Sequence, residues 1–235
     1  FEDTVRGAYR AFGVLSTAAV HPDREAYVTG VDGHYLSANG KWKVDGQSIT
    51  SDIEGRERGY GGFLDGEYVY RRGFVQRFGF EYFDEHFDMN DVGFLIRNNH
   101  MAARSSIQLT SPDIRWAREN LLDARVSFQR NLTEDLFVRR WISITDRISF
   151  RDLSRVQLSL SYATPSYDDL NSFGNGTYRV ENGVETRVRW DSDSTREFTW
   201  GLGGGFRHEL LRGPSYLAEA GRAEPLERPI EALIG

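Results

Sequence analysis

The amino-acid sequence predicts an all-β protein, an antiparallel up-and-down transmembrane β-barrel with roughly 10–12 strands, either complete or lacking some of its strands. Three observations predict this fold. Apolar and polar residues alternate along most of the chain, turn sequences interrupt the alternation, and the longer connections fall on one side of the predicted sheet. Long loops at one end and short turns at the other are typical of outer-membrane barrels.

The alternation has the period of two residues that places successive side chains on opposite faces of a strand. In "FGFEYF", for example, Phe78, Phe80 and Tyr82 share one face, whereas Gly79 and Glu81 lie on the other. The same division between an apolar and a polar side occurs at residues 155–163, 184–190 and 198–206. We therefore predict a strand at each of these places.

Turn sequences separate the predicted strands and indicate hairpin connections between neighbours. They occur at residues 21–25, 39–41, 71–73, 131–135 and 181–183. Two connections are longer, at residues 84–98 and 164–176, and the second reads as an exposed polar loop with aromatic residues. The simplest topology is a meander.

Alternation by itself also fits a soluble β-sandwich, since one face of each sheet then turns inward and the other faces water. Aromatic residues near the predicted strand ends favour interfacial girdles of a membrane barrel. They are Trp42, Tyr60, Tyr70, Phe74, Tyr82, Trp141, Tyr162, Trp190 and Phe198. Charges of both signs lie well inside the strands on the polar side, as in a water-filled lumen. The residues predicted to face the lumen are Asp65, Glu67, Arg77, Glu81, Arg104, Arg125, Glu185, Arg187 and Arg189.

The alternation stops near residue 212, and three prolines follow it. We predict a barrel domain over residues 1–212 and an irregular C-terminal tail over residues 213–235. An odd count of about 11 strands leaves a sheet edge without a partner, whereas bacterial single-chain barrels close with even numbers. We therefore expect further strands of a longer polypeptide, or another envelope protein, to cover this edge.

The segment "HFDMNDVGFLIRNNH", residues 86–100, first suggests a calcium loop because Asp88 and Asn90 precede Gly93. A calcium-binding loop that starts at Asp88 needs an oxygen ligand at its fifth position and a glutamate at its twelfth. Val92 and Asn99 occupy those positions. We therefore predict an ordered strand-to-loop corner without a metal. In it, Gly93 permits an unusual backbone conformation.

This segment and its surroundings resemble the C-terminal β-barrel of an uncharacterised bacterial outer-membrane family. The resemblance is specific in a pattern of phenylalanine, acid, amide, glycine and arginine, and it extends loosely over residues 5–210. The pattern is met by Phe87, Asp88, Asn90, Gly93, Phe94 and Arg97. Members of that family usually carry a module like carbohydrate-binding family 9 ahead of the barrel. The resemblance thus implies an outer-membrane location and a missing N-terminal module.

Composition excludes several classes of function. The formal charge of −6 provides no basic excess, so nucleic acid is not an expected partner. The absence of cysteine excludes thiolate zinc sites and cysteine nucleophiles. The five histidines have no metal-ligand spacing, and no phosphate-binding loop or nucleophile elbow occurs. We expect no metal, no cofactor, no catalytic residues and no enzymatic activity. Adjacent acids such as those at 84–85 and 168–169 are typical of solvated loops.

Two functions remain open after these exclusions. The leading hypothesis is an integral protein of the bacterial outer membrane, with the lipid bilayer as its surroundings, that acts as a pore, uptake component or envelope anchor. The rival hypothesis is a soluble all-β carbohydrate-binding protein that uses exposed aromatic residues such as Tyr167 and Phe173. Dependence on detergent separates the two.

Overall fold

A computed structural model describes residues 1–21, 24–90, 95, 97–171, 176–209 and 213–221. Over these residues the chain forms 15 strands. They are β1 Glu2–Val5, β2 Ala8–His21, β3 Arg24–Leu36, β4 Trp42–Ile53, β5 Gly59–Arg71, β6 Phe74–Phe83, β7 His100–Ile114, β8 Ala117–Asn131, β9 Phe137–Phe150, β10 Arg155–Ala163, β11 Ser166–Asp168, β12 Tyr178–Val180, β13 Gly183–Asp191, β14 Gly201–Glu209 and β15 Gly213–Gly221. No helix among the described residues is long and apolar enough to cross a membrane.

The strands form one sheet of 13 antiparallel members, in which each strand pairs with its neighbours along the chain. The order runs from β1 to β10 and continues with β13, β14 and β15, while β11 and β12 form a separate two-stranded hairpin. The predicted all-β, antiparallel meander is confirmed. Within the described part of the chain, β1 and β15 are not paired with each other, so the sheet has two edges.

The strand count and the C-terminal boundary differ from the prediction. The main sheet has 13 strands rather than 10–12, because the four-residue β1 is too short to show alternation and β15 lies in the predicted tail. The expectation of an irregular tail is wrong for Gly213–Gly221, which pairs with β14. A proline is tolerated at the start of an edge strand, so Pro214 misled the prediction. Residues 222–235 lie outside the described residues.

The predicted strand at residues 198–206 begins later than expected. Phe198 and Trp200 belong to the connection 192–200, and β14 starts at Gly201. Ser192 and Trp200 close this connection through two hydrogen bonds. The backbone N–H of Ser192 donates to the Trp200 backbone carbonyl, and the backbone N–H of Trp200 donates to the Ser192 hydroxyl. The Trp200 ring then packs on Trp190 with the ring centroids 4.7 Å apart. Alternation continued through this segment, so the sequence pattern alone did not mark the turn.

The register of the ladder gives the sheet two chemically distinct faces, because directly paired residues lie on the same face. The apolar face is defined by side chains in the middle of successive strands that are 40–51% exposed: Val31, Leu64, Phe80, Ile107, Val126, Ile144, Leu160, Val188 and Leu202. The opposite face, called the polar face, carries most of the ionic side chains. Asp146 is an exception on the apolar face, where the Asn120 amide donates to its carboxylate.

The two ends of the sheet also differ. The connections 84–99 and 164–182 lie at the same end, called here the loop end, together with the shorter 54–58 and 132–136. The other end, called the turn end, has connections of two to five residues except for 192–200. Two long connections at one end agree with the expectation from the sequence.

The buried core of this sheet is small. Most side chains of both faces are half-buried or exposed, and the buried apolar residues in the described part of the chain are Ala8, Ala26, Ile53, Phe83, Phe87 and Ala117. Ala26, Ile53 and Phe83 lie at the loop end, in the region that the connection 84–99 occupies. Among the described residues of this single-layer sheet, apolar side chains are thus buried mainly at the loop end.

Candidate functional site

Asp84 determines how the chain leaves β6 and enters the connection 84–99. One oxygen of its carboxylate accepts hydrogen bonds from the backbone N–H groups of His86 at 3.1 Å and Phe87 at 2.7 Å. The other accepts the backbone N–H of Tyr60 at 2.8 Å, on the neighbouring strand β5. Backbone amides that would otherwise lack partners are satisfied by this one side chain. The turn is thereby fixed to the sheet.

Phe87 anchors the connection to the sheet. Its side chain is fully buried, and its ring centroid lies 5.0 Å from that of Phe83. The Phe83 ring in turn lies 5.6 Å from the ring of the buried His100. A Cβ atom at Gly59 would come within 2.2 Å of the Phe87 Cα, so only glycine permits this close approach of two backbones. Phe87 is therefore held by packing, and Gly59 makes room for it.

Asp88 and Asn90 form the polar part of the corner. The backbone N–H of Asp88 donates to the Ser51 hydroxyl at 3.0 Å, and Arg56 donates to the Asp88 carboxylate at 3.0 Å. The Asn90 backbone and side-chain amides both donate to the other carboxylate oxygen at 3.0 Å. The Asn90 carbonyl oxygen accepts the backbone N–H of Leu95 at 3.0 Å. Gly93 and Phe94 of the predicted motif lie outside the described residues.

Arg97 joins the two long connections through an ion pair with Asp169. One guanidinium nitrogen donates to Asp169 at 2.8 Å and a second donates to the other carboxylate oxygen, so the pair is bidentate. The side chains are only 11% and 12% exposed. The Asn131 amide also donates to Asp169, at 2.7 Å. Burial raises the pKa of the Asp169 carboxyl, but the hydrogen bonds from Arg97 and Asn131 outweigh burial and hold this pKa below its ordinary value of 3.8.

Amide and hydroxyl side chains complete the network. The Asn98 amide donates to the backbone carbonyls of Glu85 and Phe87 at 2.9 and 3.0 Å, which closes the connection 84–99 on itself. The Asn99 carbonyl oxygen accepts the backbone N–H of Thr133 at 3.2 Å, and the Thr133 hydroxyl donates to Glu85 at 2.9 Å. The connection is thus tied to the turn between β8 and β9.

These residues form one group, named here the loop-end cluster: Asp84, Phe87, Asp88, Asn90, Arg97, Asn98, Asn131 and Asp169. The cluster holds three connections together at one end of the sheet. Its carboxylates accept hydrogen bonds from amide and guanidinium groups. The cluster is therefore a structural one, held by charged hydrogen bonds and by packing. Among the described residues, no group of three histidine, aspartate or glutamate side chains converges as a metal-binding set.

The polar face carries all nine charged residues that the sequence predicts to face a lumen, since the register places them on one side of the sheet. Many of these charges form ion pairs across strands or along one strand. Arg77 contacts Glu67 at 2.7 Å, and Arg104 contacts Asp65 at 2.7 Å. Others pair with acids that the prediction left out, as Arg189 does with Asp191 at 3.0 Å. The face is therefore highly charged yet locally balanced.

A family model described as "Domain of unknown function (DUF5916)" matches residues 16–210, which is most of the chain. The chain belongs to this family. A search among curated proteins gave no match. The resemblance that the sequence suggested therefore extends to membership of an uncharacterised family.

In this DUF5916 domain, several residues of the cluster were not among the predicted site residues. Asp84 and Asp169 were noted only as members of adjacent acid pairs, expected to be solvated, yet the Asp169 side chain is largely buried. Nothing in the sequence pointed to Asn131, or to Ser51, whose hydroxyl accepts the backbone N–H of Asp88. A search for acids able to pair with Arg97 would have found Asp169 as one candidate among many.

The structure describes one of the two aromatic residues on which the rival hypothesis for this DUF5916 domain depends. Tyr167 lies in β11 and is half-buried, and Phe173 lies outside the described residues. Trp141, predicted as part of an interfacial girdle, lies on the polar face because it pairs with Ser127 and Ala163.

Proposed function

We propose that this DUF5916 domain is an integral protein of the bacterial outer membrane, a β-barrel or most of one. In this proposal its polar face lines an aqueous path, and the protein acts as a pore, uptake component or envelope anchor without enzymatic activity. The observation that carries the proposal is the exposed apolar face. Contiguous apolar surface of this extent is rare on soluble monomers. It has no second layer to cover it among the described residues.

Strand length supports a membrane location. Every strand of the 13-stranded sheet except β1 has at least nine residues, and β7 and β8 have 15. A tilted transmembrane strand needs about 9–11 residues to cross the hydrocarbon core. Strands in globular proteins are most often about 5–6 residues long. Twelve consecutive strands long enough to span a bilayer are expected of a membrane barrel.

Aromatic residues on the apolar face lie in two bands, as interfacial girdles do. Near the turn end, Tyr70 stacks on Phe74 with centroids 4.4 Å apart, and Trp42 contacts Tyr68 at 4.5 Å. The band at this end comprises Tyr35, Trp42, Tyr68, Tyr70, Phe74 and Trp190, and the band near the loop end comprises Tyr27, Tyr60, Tyr82 and Tyr162. Aliphatic residues and phenylalanine fill the space between the bands. Two bands of this kind are expected where a sheet crosses both interfaces of a bilayer.

The polar face supports an aqueous interior. Charged side chains in contact with hydrocarbon are costly, so in a membrane this face must turn away from lipid. The balanced ion pairs of the face, such as Arg104 with Asp65, fit a lumen that holds water and both signs of charge. The apolar face would then meet the acyl chains.

The sheet edges support a partner for this domain. In the part of the chain that the structure describes, the β1 ladder covers only Ala8–Ala11 of β2, and β15 pairs only with β14. In hydrocarbon every open backbone amide and carbonyl costs free energy, so a membrane-inserted sheet needs its edges covered. Further strands of a longer polypeptide, an N-terminal module or another envelope protein would provide this cover.

The test of the proposal is the dependence of the folded chain on a membrane environment. The chain is purified in detergent, and size-exclusion chromatography is compared with and without detergent. Dilution into lipid vesicles should give a protease-resistant, membrane-embedded species, and detergent removal without lipid should give aggregates. A folded chain that stays monodisperse in plain buffer would refute the membrane proposal and favour the soluble alternative.

A further inference from the structure

Two arginines, called here the arginine pair, lie on the apolar face near the loop end. Arg130 is aligned with Met101, which is aligned with Tyr82, and Arg140 is aligned with Phe128. The arginine pair is therefore at the level of the aromatic band near the loop end and on the same face as that band. A guanidinium group in contact with hydrocarbon is costly. At the level of an interfacial band, its charged head reaches the lipid headgroups instead.

A β-bulge in β9 brings Phe137 onto the face that carries the arginine pair. Gln129 is aligned with Arg139, and the register then shifts by one residue, so that Arg130 is aligned with Phe137. Without this extra residue, positions 137 and 140 would lie on opposite faces. The Phe137 ring centroid lies 5.4 Å from Cζ of Arg130 and 4.5 Å from Cζ of Arg140. One aromatic ring thus contacts both guanidinium groups through cation–π interactions.

Polar atoms without a hydrogen-bond partner concentrate at the arginine pair. Six buried side-chain nitrogen or oxygen atoms of the described residues lack such a partner, and three of them are Arg130 Nε, Arg140 Nε and Thr164 Oγ1. Thr164 is next to Arg140, because its backbone N–H donates to the Arg140 carbonyl at 3.0 Å. Buried polar groups without a partner are rare in native proteins. Three of them at one place indicate a polar ligand from outside the chain.

The positive charge of the arginine pair is only partly compensated. Arg130 forms an ion pair with Asp135, whose side chain is 72% exposed. Arg140 donates to the Pro165 carbonyl at 2.8 Å, and no carboxylate among the described residues forms an ion pair with it. A cation–π contact stabilises a guanidinium group but leaves its charge in place. One acid therefore serves two cations, and an anion is the complementary ligand.

We propose that Arg130, Arg140 and Phe137 bind the phosphate headgroup of an anionic lipid at the loop end of the apolar face. This inference rests on the proposed membrane function. The planar guanidinium fork matches two oxygens of a phosphate group. The Nη1 atom of each arginine makes no hydrogen bond with the described residues, so it can donate to such an oxygen. The apolar face beside the arginine pair accommodates the acyl chains, which makes a lipid a better ligand than free phosphate.

Native mass spectrometry of the chain in detergent micelles tests the site by lipid titration. The probes are phosphatidic acid and phosphatidylcholine with identical acyl chains. We expect the wild type to bind phosphatidic acid about tenfold more tightly than phosphatidylcholine. Arg130→Gln and Arg140→Gln should each weaken the binding of phosphatidic acid about tenfold, because a hydrogen bond between charged groups contributes roughly that factor.

The matched control is Arg139→Gln, in the residue before Arg140 and on the polar face. Its affinity for phosphatidic acid should equal that of the wild type. Asp135→Asn should instead strengthen the binding, because it removes the acid that pairs with Arg130. A purely structural role of this ion pair predicts no such gain. If a glutamine variant fails to insert into phosphatidylcholine vesicles, Asp135→Asn decides alone, and an unchanged affinity overturns the site.

Equal affinities of Arg139→Gln and Arg140→Gln for phosphatidic acid, or equal affinities of the wild type for the two lipids, would overturn the headgroup site. Inorganic phosphate that displaces phosphatidic acid at equal concentration would overturn the assignment to a lipid. Protease resistance in phosphatidylcholine vesicles separates these outcomes from a failure of the membrane proposal. A wild-type chain that does not insert there overturns that proposal, whereas inserted variants that all bind phosphatidic acid alike overturn the headgroup site alone.

Discussion

A lysine placed on the apolar face is expected to have an effect that depends strongly on a bilayer. Leu160 lies in the middle of this face in β10, 49% exposed, between Ile144 and Thr186. At the bilayer midplane a lysine on the lipid side of a barrel costs about 2–4 kcal/mol. On a surface that faces water, the same substitution would change the free energy of unfolding by no more than about 0.5 kcal/mol. Leu160→Lys therefore separates the two environments.

The matched control is the next residue in the same strand. Ser161 lies on the polar face between Ser143 and Glu185, so a lysine there remains hydrated and has an acid as its neighbour. We expect Ser161→Lys to change the free energy of unfolding by less than about 1 kcal/mol. Two adjacent substitutions of the same kind should thus differ by about 2–3 kcal/mol, which is roughly a 30- to 150-fold difference in the folding equilibrium.

Equilibrium unfolding in urea, with the chain refolded into lipid vesicles, measures both free energies through tryptophan fluorescence. The five tryptophans provide the signal. If Leu160→Lys and Ser161→Lys have the same unfolding free energy within error, or if Leu160→Lys is harmless in lipid, the apolar face does not meet the acyl chains. The assignment of the two faces would then be wrong.

Three further predictions concern the loop-end cluster. Phe87→Ala should lower the free energy of unfolding by about 3–5 kcal/mol, because it empties a fully buried site. Gly59→Ala should also lower the melting temperature, because its Cβ would lie 2.2 Å from the Phe87 Cα. A melting temperature unchanged in both variants would contradict the packing of Phe87 on Gly59. Because the pKa of Asp169 is lowered in the folded chain, the ionised carboxylate stabilises the fold fully above the ordinary carboxyl pKa of 3.8. This contribution is lost as the pH falls through the lowered pKa. The urea midpoint of unfolding of the wild type should therefore fall on acidification below about pH 4, and that of Asp169→Asn should fall less. Equal decreases in the two proteins would exclude the Asp169 carboxylate as a cause. Calcium should not raise the melting temperature, since the Asp88 carboxylate already accepts hydrogen bonds from Arg56 and Asn90; an increase of several degrees that disappears in Asp88→Ala would establish a calcium site.

The two-faced sheet could be predicted from the sequence because side-chain orientation in a strand depends only on position along the chain. Once Val156, Leu158 and Leu160 alternate with polar residues, their common face follows without knowledge of any partner strand. For the same reason the nine charged residues were assigned to one side before their neighbours were known. Strand ends were harder to predict: Trp200 continues the alternation but lies in a connection, and β15 forms where proline suggested a tail.

The loop-end cluster could be predicted only in part. The segment 86–100 stood out through its residue pattern, and the local hydrogen bonds of Asp88 and Asn90 follow from the short range of such side chains. The partner of Arg97 could not be predicted, because Asp169 is 72 residues away and one of 35 acids. Which acid meets a given arginine is decided by the path of the connections over the sheet.

The sequence by itself determined the all-β class, the meander and the division into an apolar and a polar face, because each depends on interactions between residues close along the chain. The tertiary structure alone decided that the two long connections fold onto the polar face, that Phe87 packs on Gly59, and that Arg97 pairs with Asp169 across two strands. These contacts join distant parts of the chain, and their formation depends on the register of every strand between them.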